Sequence, residues 1–109
     1  MSTTTKHVLN IENSVSADGV PTLICVGHLT LENATTLKSE VKKFSPTNKV
    51  VFADMSGVDY VDSSGLGILV GTFVSAKSDG CELRLIKVHP RVKDLLDITH
   101  LSKLFGEYR

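Results

Sequence analysis

Apolar residues recur along this chain with two different periods, and the switches between them lay out its elements. Val8, Ile11 and Val15 fall in a first extended segment that closes at the turn signal Asp18-Gly19. The segment Val20 to Leu29 follows, and its apolar run Thr22-Leu23-Ile24-Cys25-Val26 has strand length. The Asp-Gly between the two predicts a hairpin. From Leu31 the spacing becomes helical, through Ala34, Leu37, Val41 and Phe44. Thr30 is the predicted N-cap, and Pro46 lies beyond the helix end. Lys49 to Met55 reads as a strand buried on both faces.

A second helix is predicted to open at Ser63 or Ser64, with Leu66, Leu69, Val70 and Phe73 on one face, and to stop before Asp79-Gly80. Glu82 to Lys87 alternates as a further strand. Pro90 starts a third helix carrying Val92, Leu95, Leu96 and Thr99 on one side, and Leu104 to Tyr108 reads as a last short strand. The order β-β-α-β-α-β-α-(β) predicts an α/β fold: a mixed, mostly parallel sheet of four to five strands packed with about three helices.

Composition narrows the function. The 109 residues fit one domain, 1–109, with 1–6 as a polar lead-in and no signal-peptide pattern. Twelve Lys and Arg balance twelve Asp and Glu, so the basic surplus expected of a nucleic-acid or anionic-lipid binder is missing. The longest apolar-rich stretch, Leu66 to Val74, falls well short of the ~20 residues of a membrane span. The expected location is therefore the cytoplasm. Cys25 and Cys81 lie in apolar segments without Cys-x-x-Cys spacing and read as buried free thiols. His7, His28, His89 and His100 are scattered without ligand spacing, so no metal or cofactor is expected.

The unusual stretch is Ser56-Gly57-Val58-Asp59-Tyr60-Val61-Asp62-Ser63-Ser64-Gly65-Leu66-Gly67, read here as a loop leading from strand into helix. Asp62 or Ser63 can cap the helix. Gly65 and Gly67 cost roughly 1 kcal/mol each relative to Ala, which implies a close neighbour, either a packed strand or a partner surface. Catalytic patterns are missing. Gly65, Gly67 and Gly71 do not space as a dinucleotide fingerprint, no phosphate loop occurs, and Ser64 has no G-x-S-x-G context.

Asp62-Ser63-Ser64-Gly65-Leu66-Gly67 resembles the signature of STAS domains, specifically the free-standing bacterial anti-sigma factor antagonists. Gly27-His28-Leu29-Thr30, a helix with Ala34 and Leu37, Asp54-Met55-Ser56 and Pro90 to Leu96 fall in the same order, so the resemblance spans about 7–108. It implies a STAS-like fold and a binding module that is not an enzyme. Ser63 would be the phosphorylated residue, with Ser64 the competing acceptor. The implied partners are an anti-sigma factor that is also a serine kinase, and a phosphatase acting on phospho-Ser63. The unphosphorylated form would bind the kinase and free a sigma factor. Asp54, Asp62, Ser63, Ser64, Gly65, Leu66, Gly67 and Thr30 are the expected partner-contacting residues.

Many antagonists carry acids where this chain has His28 and Thr30, and many extend by a terminal helix past the position of Arg109. The second difference predicts a sheet face or edge covered by a partner or second copy. The alternative function is a constitutive STAS subunit of a lipid- or anion-transport or sensory complex. Nucleotide binding and a Ser63 hydrolase are the remaining readings.

Overall fold

A computed structural model describes residues 8–105. The elements run β1 (Leu9–Val15), β2 (Pro21–Leu29), α1 (Ala34–Phe44), β3 (Val50–Val61), α2 (Ser63–Ser78), β4 (Glu82–Ile86) and α3 (Pro90–Ile98). The first turn forms as its sequence predicts. Gly19 takes φ +82°, a conformation L side chains avoid, and the Val20 amide donates to Ser16 Oγ at 3.0 Å. β1 and β2 therefore pair antiparallel, with Ile11 opposite Cys25.

β2–β3 and β3–β4 pair in parallel, giving the sheet order β1-β2-β3-β4. Two right-handed crossovers stepping the same way across a sheet place their helices on one face. α1 and α2 accordingly pack on each other, and the core lies between them and the sheet. Leu23, Cys25, Val51, Ala53, Met55, Leu83 and Leu85 point into it from the strands. Leu37 and Val41 enter from α1, Leu69, Phe73 and Ala76 from α2, and Val92 and Leu96 from α3. Phe105, fully buried, meets the Phe73 ring edge-on at 5.2 Å.

Four expectations need correction. β3 is not fully buried on both faces: on the side away from Val51 and Ala53, Asp54 is buried but Val50 and Phe52 are only half-buried. It is also longer than expected, because Ser56 to Val61 continues as strand, paired to β2 through two register shifts. α1 begins at Ala34 with Asn33 as N-cap and no side-chain capping bond. Thr30 contributes its carbonyl instead, accepting from the Ala34 amide at 2.8 Å, while its Oγ1 is buried with no hydrogen-bond partner among the described residues. In α3, Thr99 is the exposed C-cap, its hydroxyl turned back onto Leu95 O at 2.8 Å.

Of the expected last strand, Leu104 and Phe105 lie in turns, and 106–108 fall outside the described residues, as does the 1–6 lead-in.

Candidate functional site

The start of α2 is built by its own sequence. Asp62 sits extended at φ −88°, ψ 174°, and its Oδ1 accepts from the Gly65 amide at 2.6 Å. That bond satisfies one of the amides a helix start leaves without partners. Asp62 also donates its own amide to Leu29 O at 3.1 Å, tying the helix start to the end of β2. Gly65 completes the junction. It is buried, and a Cβ there would collide with the Leu29 carbonyl, so only glycine lets the helix approach this closely.

Gly67 lies two residues further along, exposed, with nothing within 4 Å of where its Cβ would stand. The two glycines therefore differ in kind: the neighbour of Gly65 is a packed strand, and Gly67 faces open space. Leu66 is half-buried and packs against the core.

Ser63 and Ser64 are the first two residues of α2, and both are exposed. Neither is the cap; the Asp62 carboxylate fills that role. Both stand where free amides and the positive end of the helix dipole favour an added anion.

The β2–β3 register sets the surroundings. His28 pairs with Tyr60 and Leu29 with Val61. The His28 and Tyr60 rings lie 5.1 Å apart at 48°, and His28 Nε2 is 3.6 Å from Asp59 Oδ1. A groove of about 350 Å³ lined by His28, Thr30, Glu32, Tyr60 and Asp62 opens beside the start of α2. Sequence reasoning did not single out Tyr60 or Glu32, because the groove forms only when the end of β2 and the turn after it, residues 28–32, lie beside the end of β3.

Asp54 does not join this cluster. It lies seven residues back along β3 from Val61, nearly buried, and its Oδ1 accepts from the Ser56 amide at 2.9 Å and the Ser56 hydroxyl at 2.7 Å. Its Oδ2 faces Lys87 Nζ at 3.7 Å. Thr30 does line the groove with Asp62.

The thiols are chemically quiet. Burial, reinforced by the Asp54 charge, pushes Cys25 up to about 12. Burial together with Asp79 and Glu82 raises Cys81 as well. Among the described residues no group of three His, Cys, Asp or Glu side chains could hold a metal ion, and no helix is long and apolar enough to cross a membrane.

The architecture is thus a four-stranded mixed sheet with a capped helix start that presents two exposed serines. Residues 13–109 match the STAS domain, and the chain belongs to that family. It is 31% identical over 78 residues to the anti-sigma-B factor antagonist of Bacillus subtilis (strain 168), an alignment covering 72% of each chain.

The crystal structure of an anti-sigma factor antagonist from Mycobacterium paratuberculosis superposes with TM-score 0.75 at 21% identity, covering 92% of this chain and 85% of that one. The Bacillus cell fate determinant SpoIIAA in its phosphorylated form superposes with TM-score 0.65 at 12% identity, covering 92% and 91%. At these identities the two structures speak for the fold alone.

Proposed function

We propose that this chain is an anti-sigma factor antagonist whose partner surface is switched by phosphorylation of Ser63. The partner is an anti-sigma factor that is also a serine kinase. The unphosphorylated antagonist occupies it and so releases a sigma factor, and a phosphatase returns the modified form to use. The chain acts in the cytoplasm as a binding module, without a reaction of its own.

The observation that carries this reading is the placement of Ser63. It is exposed on the first residue of a helix whose capping bond is made by its neighbour, Asp62. A phosphoryl group there adds about −1.5 to −2 charges and three acceptor oxygens without displacing a core residue or the cap. The fold therefore tolerates the group while the surface changes. Asp62 is its direct neighbour, and Glu32 lines the same groove as Asp62, so the added charge falls beside groups that are already acidic. A partner packed against Ser63 and the open backbone at Gly67 then loses contact through bulk, desolvation and repulsion of its own acidic groups. Ser64 is the second acceptor, one position further into the helix.

The likeness to the Bacillus subtilis antagonist supports the partner class. The test is binding to purified anti-sigma factors by calorimetry. Ser63→Ala should bind one of them as the unmodified protein does, and Ser63→Asp at least tenfold more weakly. Equal affinities for the two variants would overturn the switch.

A further inference from the structure

All three helices share one core cluster with the inward-facing strand residues, so no described helix covers the other face of the sheet. Strands β2, β3 and β4 run parallel, and sheets of parallel strands are found with both faces covered. Alternation and register fix what the open face presents. Ile24 and Val26 of β2 and Phe52 of β3 point away from Leu23, Cys25 and Ala53, which enter the core. Val26 is 50% exposed, and Ile24 and Phe52 are half-buried. These three make an apolar centre on the two middle strands.

Charge lies at the edges and differs in sign between them. On β1 the charged outward side chain is Glu12, which is exposed. On the β4 side stand Arg84 and Lys87; Glu82, also on β4, is tied to Arg84 at 3.0 Å. Lys87 Nζ reaches onto this face, 3.7 Å from Asp54 Oδ2. Asp54 itself is buried and held by Ser56.

We propose that a second copy of this chain covers the face, the two sheets packing about a two-fold axis that runs along the strands between β2 and β3. Such an axis sets β1 of each copy over β4 of the other, so one complementary contact is made twice. Glu12 shares its row with Ile24, Asp54 and Ile86. It therefore meets the other copy at Ile86, between Arg84 and Lys87. Arg84 is two residues from Ile86, about 7 Å along the strand, a distance an arginine side chain spans. An axis across the strands would instead set each edge over its own kind. The contact does not depend on the switch at Ser63.

Area sets its strength. Four strands span about 19 Å, and the seven residues of β1 about 23 Å, which gives a face of roughly 440 Å². A stable complex covers about 800 Å² of each partner, so this dimer belongs to the small, reversible class.

Sedimentation equilibrium of the purified 109-residue chain tests it. Between about 5 and 500 μM the weight-average mass should climb from 11.8 kDa toward twice that value. Val26→Glu, which sets an unpaired charge in the apolar centre, should weaken self-association at least tenfold. Val74→Glu, at a similarly exposed position on α2, should leave it within twofold. Glu12→Arg should weaken it about fivefold, and adding Arg84→Glu to the same chain should restore it to within twofold of wild type. Circular dichroism confirms folding, and Glu12→Arg, at an exposed edge position, carries the test if Val26→Glu does not fold.

A constant mass of 11.8 kDa over the whole range would overturn the proposal; a different protein, or a segment of the same chain, on this face gives that result. A dimer broken by Val74→Glu and left intact by Val26→Glu would overturn it too, because the contact then lies on α2. Loss in Glu12→Arg without recovery in the double variant would overturn the axis.

Discussion

Replacing Gly65 and Gly67 in turn by alanine separates the two roles that glycine plays at the start of α2. In a helix interior, Gly→Ala stabilises by about 1 kcal/mol through backbone entropy alone. Gly67 has nothing within 4 Å of the new methyl group, so Gly67→Ala should show that gain undiminished. At Gly65 the methyl meets the Leu29 carbonyl, with Leu29 C at 2.7 Å and Thr30 N at 3.1 Å from the same point. These are backbone atoms, which cannot rotate away as a flexible side chain can. Overpacking of this kind costs about 1–3 kcal/mol, and the forced shift also strains the Asp62–Leu29 and Asp62–Gly65 bonds.

Net destabilisation of Gly65→Ala should therefore be about 2 kcal/mol. For a domain of this size about 1 kcal/mol corresponds to roughly 4 °C in Tm. Thermal unfolding should place Gly67→Ala about 4 °C above wild type and Gly65→Ala about 8 °C below it. A Gly65→Ala protein as stable as wild type would refute the close packing of α2 on the end of β2.

Asp62→Ala removes the cap and should cost about 1 kcal/mol in urea unfolding, while Asp62→Asn keeps most of it. Hydrogen bonds from Lys42 Nζ at 2.8 Å and Ser45 Oγ at 2.7 Å hold the Asp79 carboxyl below its ordinary pKa of 3.8. A lowered folded-state pKa gives stability that is complete above 3.8 and lost as the pH falls through the folded value. Asp79→Asn should therefore flatten the acid end of a stability–pH profile below about pH 4 and leave its neutral region parallel to wild type. With its thiol pushed up to about 12, Cys25 should resist iodoacetamide at pH 8 in the folded protein and react in urea. Alkylation of native Cys25 at the rate of a free thiol would contradict its burial.

Local signals carried well where local chemistry decides the structure. Asp18-Gly19 dictates its turn, Pro90 sits at the first position of α3, and Asp62 caps α2 as its residue type suggests. What the sequence hid depends on contacts between segments. Ser56 to Val61 looks like a loop by composition, yet pairing with β2 keeps it extended and carries Asp59 and Tyr60 to His28. Thr30 has the chemistry of a cap, but the chain turns once more through residues 31–33, and its hydroxyl is buried at the junction instead. The motif from Asp62 to Gly67 was legible, whereas the groove beside it was not, because its walls come from two segments, 28–32 and 60–62, far apart in the sequence. The same distinction explains the glycines: spacing marks both as costly, and only the fold shows which one is packed.

The central claim is that Ser63 carries a regulated phosphate, and mass spectrometry tests it on the protein isolated from its own cells, growing and stressed. The account predicts a phosphate on Ser63 whose occupancy changes between the two conditions, with Ser64 unmodified. A fully covered Ser63 peptide without phosphate in both conditions, or a phosphate on Ser64 alone, would contradict it.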